Sequence, residues 1–256
     1  LGSKNGAIGT LTFNYPEKHN AMSPEMAQAA AAVINEFAAD PAIRVVVLRG
    51  AGTKAFVSGG DISKYEKNRA TPEQIEAYNK MSSGFRDALA DITKPTIAMI
   101  RGWCLGGGLA IALRCDMRIC SEDAQFSVPA ARLGIGYAAE SLGQLIELCG
   151  PSVAKEILFT ARRYTAYEAH RIGLVNHVVQ AGVLEAFVQQ YADTIADNAP
   201  LSIVAAKHVI NEYVKDSDKR NQALADQAVA NCFASQDYIE GRRAFMEKRK
   251  PVWTGK

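Results

Sequence analysis

Three adjacent glycines, Gly106-Gly107-Gly108, interrupt a segment that reads as strand before them and helix after, and this constrains the chain more than any other feature. The run Thr96-Ile97-Ala98-Met99-Ile100 has strand composition, and Leu109-Ala110-Ile111-Ala112-Leu113 is an uncharged helix former. Glycines at such a junction let bare backbone N–H groups approach a ligand, and the helix N-terminus behind them carries a partial positive charge. The turn suits a developing oxyanion, a dinucleotide phosphate or simply close helix packing. GWCLGGGLA matches neither the GxGxxG dinucleotide fingerprint nor the GK[ST] ending of a Walker loop.

A second glycine turn lies upstream. Ala55-Phe56-Val57-Ser58-Gly59-Gly60-Asp61-Ile62 follows the strand-like run Val45-Val46-Val47-Leu48-Arg49-Gly50. Two turns at the ends of two strands can each aim one N–H at a single carbonyl oxygen. Strands are also expected at Ile8 to Asn14, Asp116 to Cys120 and Leu174 to Val179. Ser23 is placed to cap a helix that starts at Pro24 and runs toward Asp40-Pro41, and a second helix follows Thr71-Pro72. This alternation predicts a right-handed βαβ spiral. From Val183 onward the pattern is helical, with breaks near Asn198-Ala199-Pro200, Asp216-Ser217-Asp218 and Ser235-Gln236-Asp237.

A chain of 256 residues with 48% hydrophobic content buries a large core. The formal charge of +2 supplies no basic field for nucleic acid, and the cluster from Arg242 to Lys250 reads as a solvated helix face on composition alone. Five cysteines without CxxC spacing sit mostly in apolar runs, which points to buried thiols in a reducing compartment rather than to a metal site or a nucleophile. No apolar run spans a bilayer and no signal segment is recognisable, so a cytoplasmic protein is expected, without a membrane or nucleic-acid partner. A serine hydrolase elbow, GxSxG, needs glycine where Phe56 stands before Ser58.

The two turns, with the segments around them, resemble the enoyl-CoA hydratase/isomerase (crotonase) superfamily over nearly the whole chain. The resemblance runs through Phe13 to Met22, Asp40-Pro41, the SGGDI turn, Lys94 to Ala98, GWCLGGG, Cys115-Asp116, Ala124-Gln125-Phe126, Leu133 to Gly136, Gly173 to Asn176 and Phe245 to Pro251. It implies an α/β fold, a crotonase-type ββα spiral core over residues 1–182, with a C-terminal helical trimerisation region over 183–256. It also implies a homotrimer or a dimer of trimers. Strand-like residues begin almost at Leu1, where this family usually has another strand ahead, so further residues are expected to precede it.

The implied substrate is an acyl-CoA thioester, with coenzyme A entering as part of the substrate and no permanently bound cofactor or metal. Its carbonyl would receive hydrogen bonds from the N–H groups of Gly60 and Gly107. Lys18, His19, Ser58, Gly60, Asp61 and Ile62 would hold the nucleotide and pantetheine, completed by Phe245 and Lys248 across a subunit boundary.

The departures from the hydratase pattern matter as much as the matches. Hydratases of the family carry one glutamate two residues past the triple glycine and another ahead of the LG turn, where this chain has Ala110 and Ala130. The acidic residue that some isomerases and a dehalogenase use four positions after that turn's glycine is replaced by Ala138. Efficient hydration of a simple enoyl-CoA is therefore not expected, because a positioned acid or base contributes roughly two to four orders of magnitude. Glu140 and Tyr137 are the remaining polar candidates at the acyl end. Glu140 also reads as an ordinary first-turn acid, and Tyr137 as a ring packed on the acyl tail. Leu133-Gly134-Ile135-Gly136-Tyr137 resembles methylmalonyl-CoA decarboxylase-like members, although those carry histidine where Gly60 stands and glutamate where Ala110 stands. Three readings remain: an enolate-stabilising enzyme of the hydratase/isomerase type, a malonyl-type decarboxylase, and a non-catalytic acyl-CoA-binding protein.

Overall fold

The computed structural model describes the backbone of residues 1–61 and 71–256, and every side chain within them except those of residues 75, 77–82 and 140. A six-stranded sheet has the order β1-β2-β3-β5-β7-β10, formed by Gly2–Asn5, Ile8–Phe13, Val45–Gly50, Thr96–Ile100, Met117–Ser121 and His177–Val179. The β1–β2 pair is antiparallel and the remaining pairs are parallel. Parallel pairing demands crossovers; the helices α1 (Pro24–Ala39), α2 (Pro72–Asp91) and α3 (Gly107–Arg114) supply the first three, and the last, from β7 to β10, runs through part of the small sheet and the helices between. Ser23 caps α1, its hydroxyl accepting from the Met26 N–H, with Pro24 in the first turn; Thr71 and Pro72 start α2 in the same way.

A smaller sheet lies beside the large one, in the order β4 (Ala55–Val57), β6 (Trp103–Leu105), β8 (Gln125–Ser127) and β9 (Tyr164–Thr165). The sequence reading treats 55–62 and 102–110 as turns alone. The structure turns the first three residues of one and an inner triplet of the other into paired strands, because each triplet finds a neighbour's backbone to bond. The expected strand at Leu174–Val179 is shortened to its last three residues. Leu174 is held in a turn by its N–H bond to the Ala169 carbonyl, and Asn176 bonds back to Arg118.

The strands' two faces build two cores. Leu11, Phe13, Val46, Leu48, Ala98 and Ile100 pack with α1, α2 and the small sheet; Phe13 meets Phe56 and Phe85 edge-on. Val45, Val47, Ile97, Met99 and Ile119 on the opposite face are covered by Leu184, Val188 and Ala192 of α7 (Leu184–Ala196). Between the last strands run α4 (Ala130–Leu133), α5 (Ala139–Thr160, interrupted at Gly150) and α6 (Ala166–Arg171). After α7 come α8 (Pro200–Tyr213), α9 (Gln222–Phe233) and α10 (Gln236–Met246), and the tail folds back so that Trp253 donates to the Asp197 carbonyl. No described helix is long and apolar enough to cross a membrane.

Candidate active site

Strands β4 and β6 are parallel neighbours, so the two glycine turns that follow them leave the same edge of the small sheet. Gly106 sits at φ 51 and ψ −114, a conformation open to glycine and costly for other residues, and its N–H donates to the Ser127 carbonyl at 2.8 Å. That contortion turns the chain into α3. Gly108, two residues on, lies against strand β4. A β-carbon built there would overlap the carbonyl oxygen of Val57 and come within 2.7 Å of its carbon.

The other turn is anchored to the start of α1. Met22 donates to the Gly59 carbonyl at 2.7 Å and accepts from the Asp61 N–H at 3.1 Å. Bonds at 59 and 61 turn the intervening Gly60 amide to the opposite side, toward α3, as parallel pairing requires. A β-carbon built on Gly107 would lie 3.8 Å from the Gly60 nitrogen. Neither N–H finds an acceptor among the described residues, and Gly107, the first residue of α3, has no partner one turn back within that helix. Gly60 is half-buried and Gly107 exposed. The two amides lie close together at the positive end of α3. Such a pair can hold a carbonyl oxygen as it gains negative charge.

The loop ahead of α1 joins this centre. The fully buried Asn20 accepts from the Tyr15 N–H at 2.9 Å and donates to the Ala51 and Ala55 carbonyls at 3.0 and 2.8 Å. It thereby ties residues 15–20 to the turn before β4. His19 adopts φ 51, and its carbonyl accepts from the Ser58 N–H. Lys18 and His19 are thus held against Ser58, next to Gly59 and Gly60, which lie beside Gly107; the Lys18 and His19 side chains are exposed and Asp61 is buried. Ile62 lies outside the described residues. Asn20, expected from the sequence only as part of the Lys18-His19-Asn20 turn that would hold the nucleotide, is the residue that ties this loop to the small sheet. The signal available for it was a lone asparagine in a Pro-initiated loop, a residue that tolerates positive φ and bonds nearby backbone.

The acyl-end candidates divide. The Tyr137 hydroxyl lies 3.7 Å from a β-carbon built on Gly106, so Tyr137 is at the glycine turn. Ala110 is half-buried on the second turn of α3. Ala130 is buried at the start of α4, next to Pro129, whose ring also approaches Gly106. Ala138 is exposed at the start of α5; Glu140 is the second residue of that helix, and its side chain lies outside the described set. Cys104 stands buried in β6, and burial pushes its thiol well above the ordinary range, while Cys115 and Cys120 are pushed up to about 12. These thiols are neutral at physiological pH and are not nucleophiles.

Phe245 and Lys248 are placed elsewhere. Phe245, at the end of α10, lines a cleft of about 840 Å³ with Leu201, Phe233, Tyr238 and Trp253, and no residue of either glycine turn lines it. Lys248 follows at φ 54 and is exposed.

The profile of the Enoyl-CoA hydratase/isomerase family matches residues 3–256. A short-chain-enoyl-CoA hydratase of Clostridium acetobutylicum is 34% identical over 247 residues, covering 96% of this chain and 94% of its own length. A carnitinyl-CoA dehydratase of Proteus mirabilis is 35% identical over 257 residues, covering 98% and 96%. Among solved structures, an enoyl-CoA hydratase/carnithine racemase of Magnetospirillum magneticum superposes with a TM-score of 0.95 at 36% identity, covering 100% of this chain and 95% of the other. The chain belongs to the enoyl-CoA hydratase/isomerase family, the crotonase superfamily.

Proposed function

We propose that this protein binds an acyl-CoA thioester with its carbonyl oxygen between the N–H groups of Gly60 and Gly107 and catalyses a reaction that passes through the thioester enolate. The observation that supports this reading is the proximity of these two amides, neither with an acceptor among the described residues, at the positive end of α3. Coenzyme A enters as part of the substrate. Lys18, His19 and Ser58 surround the entry, and Phe245 and Lys248, remote from the turns within one chain, belong to the neighbouring subunit's pocket in this reading.

Efficient addition of water to a simple enoyl-CoA does not fit the methyl groups of Ala110 and Ala130 beside the hole. Neither can activate water or deliver a proton. A malonyl-type decarboxylation fits better, since the departing carboxylate leaves behind the enolate that the two amides hold and no added base is required. The Tyr137 hydroxyl beside Gly106 favours this second reading, being placed to orient a substrate carboxylate.

The test is a panel of crotonyl-, malonyl-, methylmalonyl- and carnitinyl-type CoA thioesters analysed for product by mass, run on the wild type and on Gly107→Ala. Gly107 has an ordinary φ, and its added methyl meets nothing closer than 3.8 Å, so the variant should fold with an unchanged Tm. The methyl nevertheless projects toward the Gly60 N–H, and kcat should fall by about two orders of magnitude or more. Full turnover in Gly107→Ala would refute the oxyanion assignment. Tight binding of every thioester with no product from any would leave an acyl-CoA-binding protein. Crotonyl-CoA hydration at the rate of glutamate-bearing relatives would refute the reading of Ala110 and Ala130.

A further inference from the structure

Strand β7 carries a guanidinium into the interior without a paired carboxylate among the described residues. Arg118 is 4% exposed. Its Nε donates to the Leu174 carbonyl at 2.9 Å, and its Nη1 donates to the Cys115 carbonyl at 2.7 Å and the Ala112 carbonyl at 3.5 Å. Among the described residues no carboxylate pairs with it. The nearby Asp116 is taken by Lys207 at 2.8 Å and by the Thr96 N–H and hydroxyl. The surrounding thiols of Cys104, Cys115 and Cys149 are held neutral by burial. A guanidinium keeps its charge at neutral pH even when buried.

Its acceptors show what it does. Ala112 lies in the last turn of α3, where its carbonyl also accepts the Cys115 N–H, and Cys115 is the cap residue just past that end, the end that carries the helix's negative pole. Arg118 therefore caps the carbonyl end of the same helix whose amide end presents Gly107. Eight residues separate the two ends by about 12 Å. A clamp holds the cap in place, with Asn176 Oδ1 accepting from the Arg118 N–H and the Asn176 N–H donating to the Arg118 carbonyl, both at 2.8 Å.

We propose that Arg118 is the positioning residue of the oxyanion helix, a buried cation that neutralises the carbonyl end of α3, leaves the positive field at Gly107 unopposed, and so sets how strongly the site stabilises an enolate. The proposal rests on the assignment of Gly60 and Gly107 as the oxyanion donors. A unit charge acting over about 12 Å at an effective dielectric of about 20 changes such an equilibrium roughly tenfold.

Acetoacetyl-CoA is the probe, a β-keto thioester whose enolate absorbs in the near ultraviolet. The pH midpoint of its enolisation, free and bound, reports the field at the hole without any turnover. Wild type should lower the midpoint. Arg118→Gln should raise the bound midpoint by about one unit, the tenfold effect, while affinity for CoA itself stays within about twofold. Arg118→Lys, which keeps the charge, should stay within about twofold of wild type. Asn176→Ala, which loosens the clamp but keeps the charge, should lower the Tm and shift the midpoint by less than Arg118→Gln does, separating field from fold.

An Arg118→Gln midpoint equal to wild type would overturn the proposal. If Arg118→Gln does not fold, Arg118→Lys decides, because a folded lysine variant whose midpoint rises by a full unit refutes a role for the charge and a retained midpoint supports it. A wild-type protein that binds the probe without moving its midpoint overturns the oxyanion assignment itself, an outcome separate from any difference between variants.

Discussion

At the scale of single residues, the glycine triplet divides its labour. Gly106 supplies a backbone conformation, Gly107 an exposed amide, and Gly108 the room for a helix to touch a strand. The sequence showed that glycine was needed there, but not which glycine met which demand, because the demands come from β4 and Ser127, far away along the chain. Gly108→Ala should destabilise the fold by about 1–3 kcal/mol, since the added methyl meets rigid backbone at Val57 rather than a side chain that can turn away. Chemical denaturation checks this, and a midpoint unchanged from wild type would show that α3 can slide off β4. Asn20 illustrates what stays hidden. Its amide serves three backbone groups from two separate loops, and no local pattern marks an asparagine for that role.

At the scale of elements, long periodic segments were legible and short ones were not. The helix from Pro24 starts at the cap that Ser23 announces, and the strands at 45–50 and 96–100 fall where their apolar runs place them. Strands β4, β6 and β8 have three residues each, too few for alternation to register, and they exist because parallel neighbours complete their hydrogen bonds. Local order in the C-terminal tail is likewise a matter of partners. Glu240 accepts from Arg249 and from the Val252 N–H, and those bonds draw its carboxyl down to about 2 from an ordinary 4.5. A depressed folded-state pKa stabilises above the unfolded value and ceases to do so as the proton returns. The tail should therefore stay docked above pH 4.5 and loosen progressively between about pH 4.5 and 2. Fluorescence of Trp253, which donates to Asp197 only when the tail is docked, reads the transition; with Glu240→Gln it should disappear from that window. Trp103 contributes a background that Trp103→Phe removes.

At the scale of the whole molecule, the helical C-terminal region is attached to the core in two ways. Helix α7 covers one face of the main sheet, and cations reach across to carbonyls and carboxylates: Arg44 to Ala196 and Trp253, Lys207 to Lys94 and Asp116. The helices beyond α7 leave Ile210, Tyr213, Phe233, Phe245 and Met246 on the surface, Phe245 at 83% exposure. Large contiguous apolar patches mark association surfaces. We expect copies of this chain to meet there in a trimer or a dimer of trimers, with Phe245 and Lys248 reaching a neighbour's nucleotide pocket. Light scattering should give a closed oligomer at micromolar concentration, and Phe245→Asp with Ile210→Lys should shift it toward monomer. A monomeric wild type would sink the expectation, along with the shared pocket.

What the sequence determined by itself was the class of architecture and the kind of chemistry. Apolar runs broken by glycine turns specify parallel strands with crossover helices, and the residue types at 60, 107, 110 and 130 bear on which reactions are open, because side-chain chemistry is set by identity alone. Tertiary structure alone decided the convergence. Gly60 and Gly107 lie close together because β4 and β6 pair in parallel, the Tyr137 hydroxyl reaches Gly106 across thirty residues of chain, and Arg118 is held at the end of α3 by the Leu174 carbonyl. The glycine-turn contacts join segments distant in sequence, and even the short-range cap by Arg118 is fixed by the distant Leu174 carbonyl and Asn176 that hold its side chain and backbone, so their geometry follows from packing that no local pattern records.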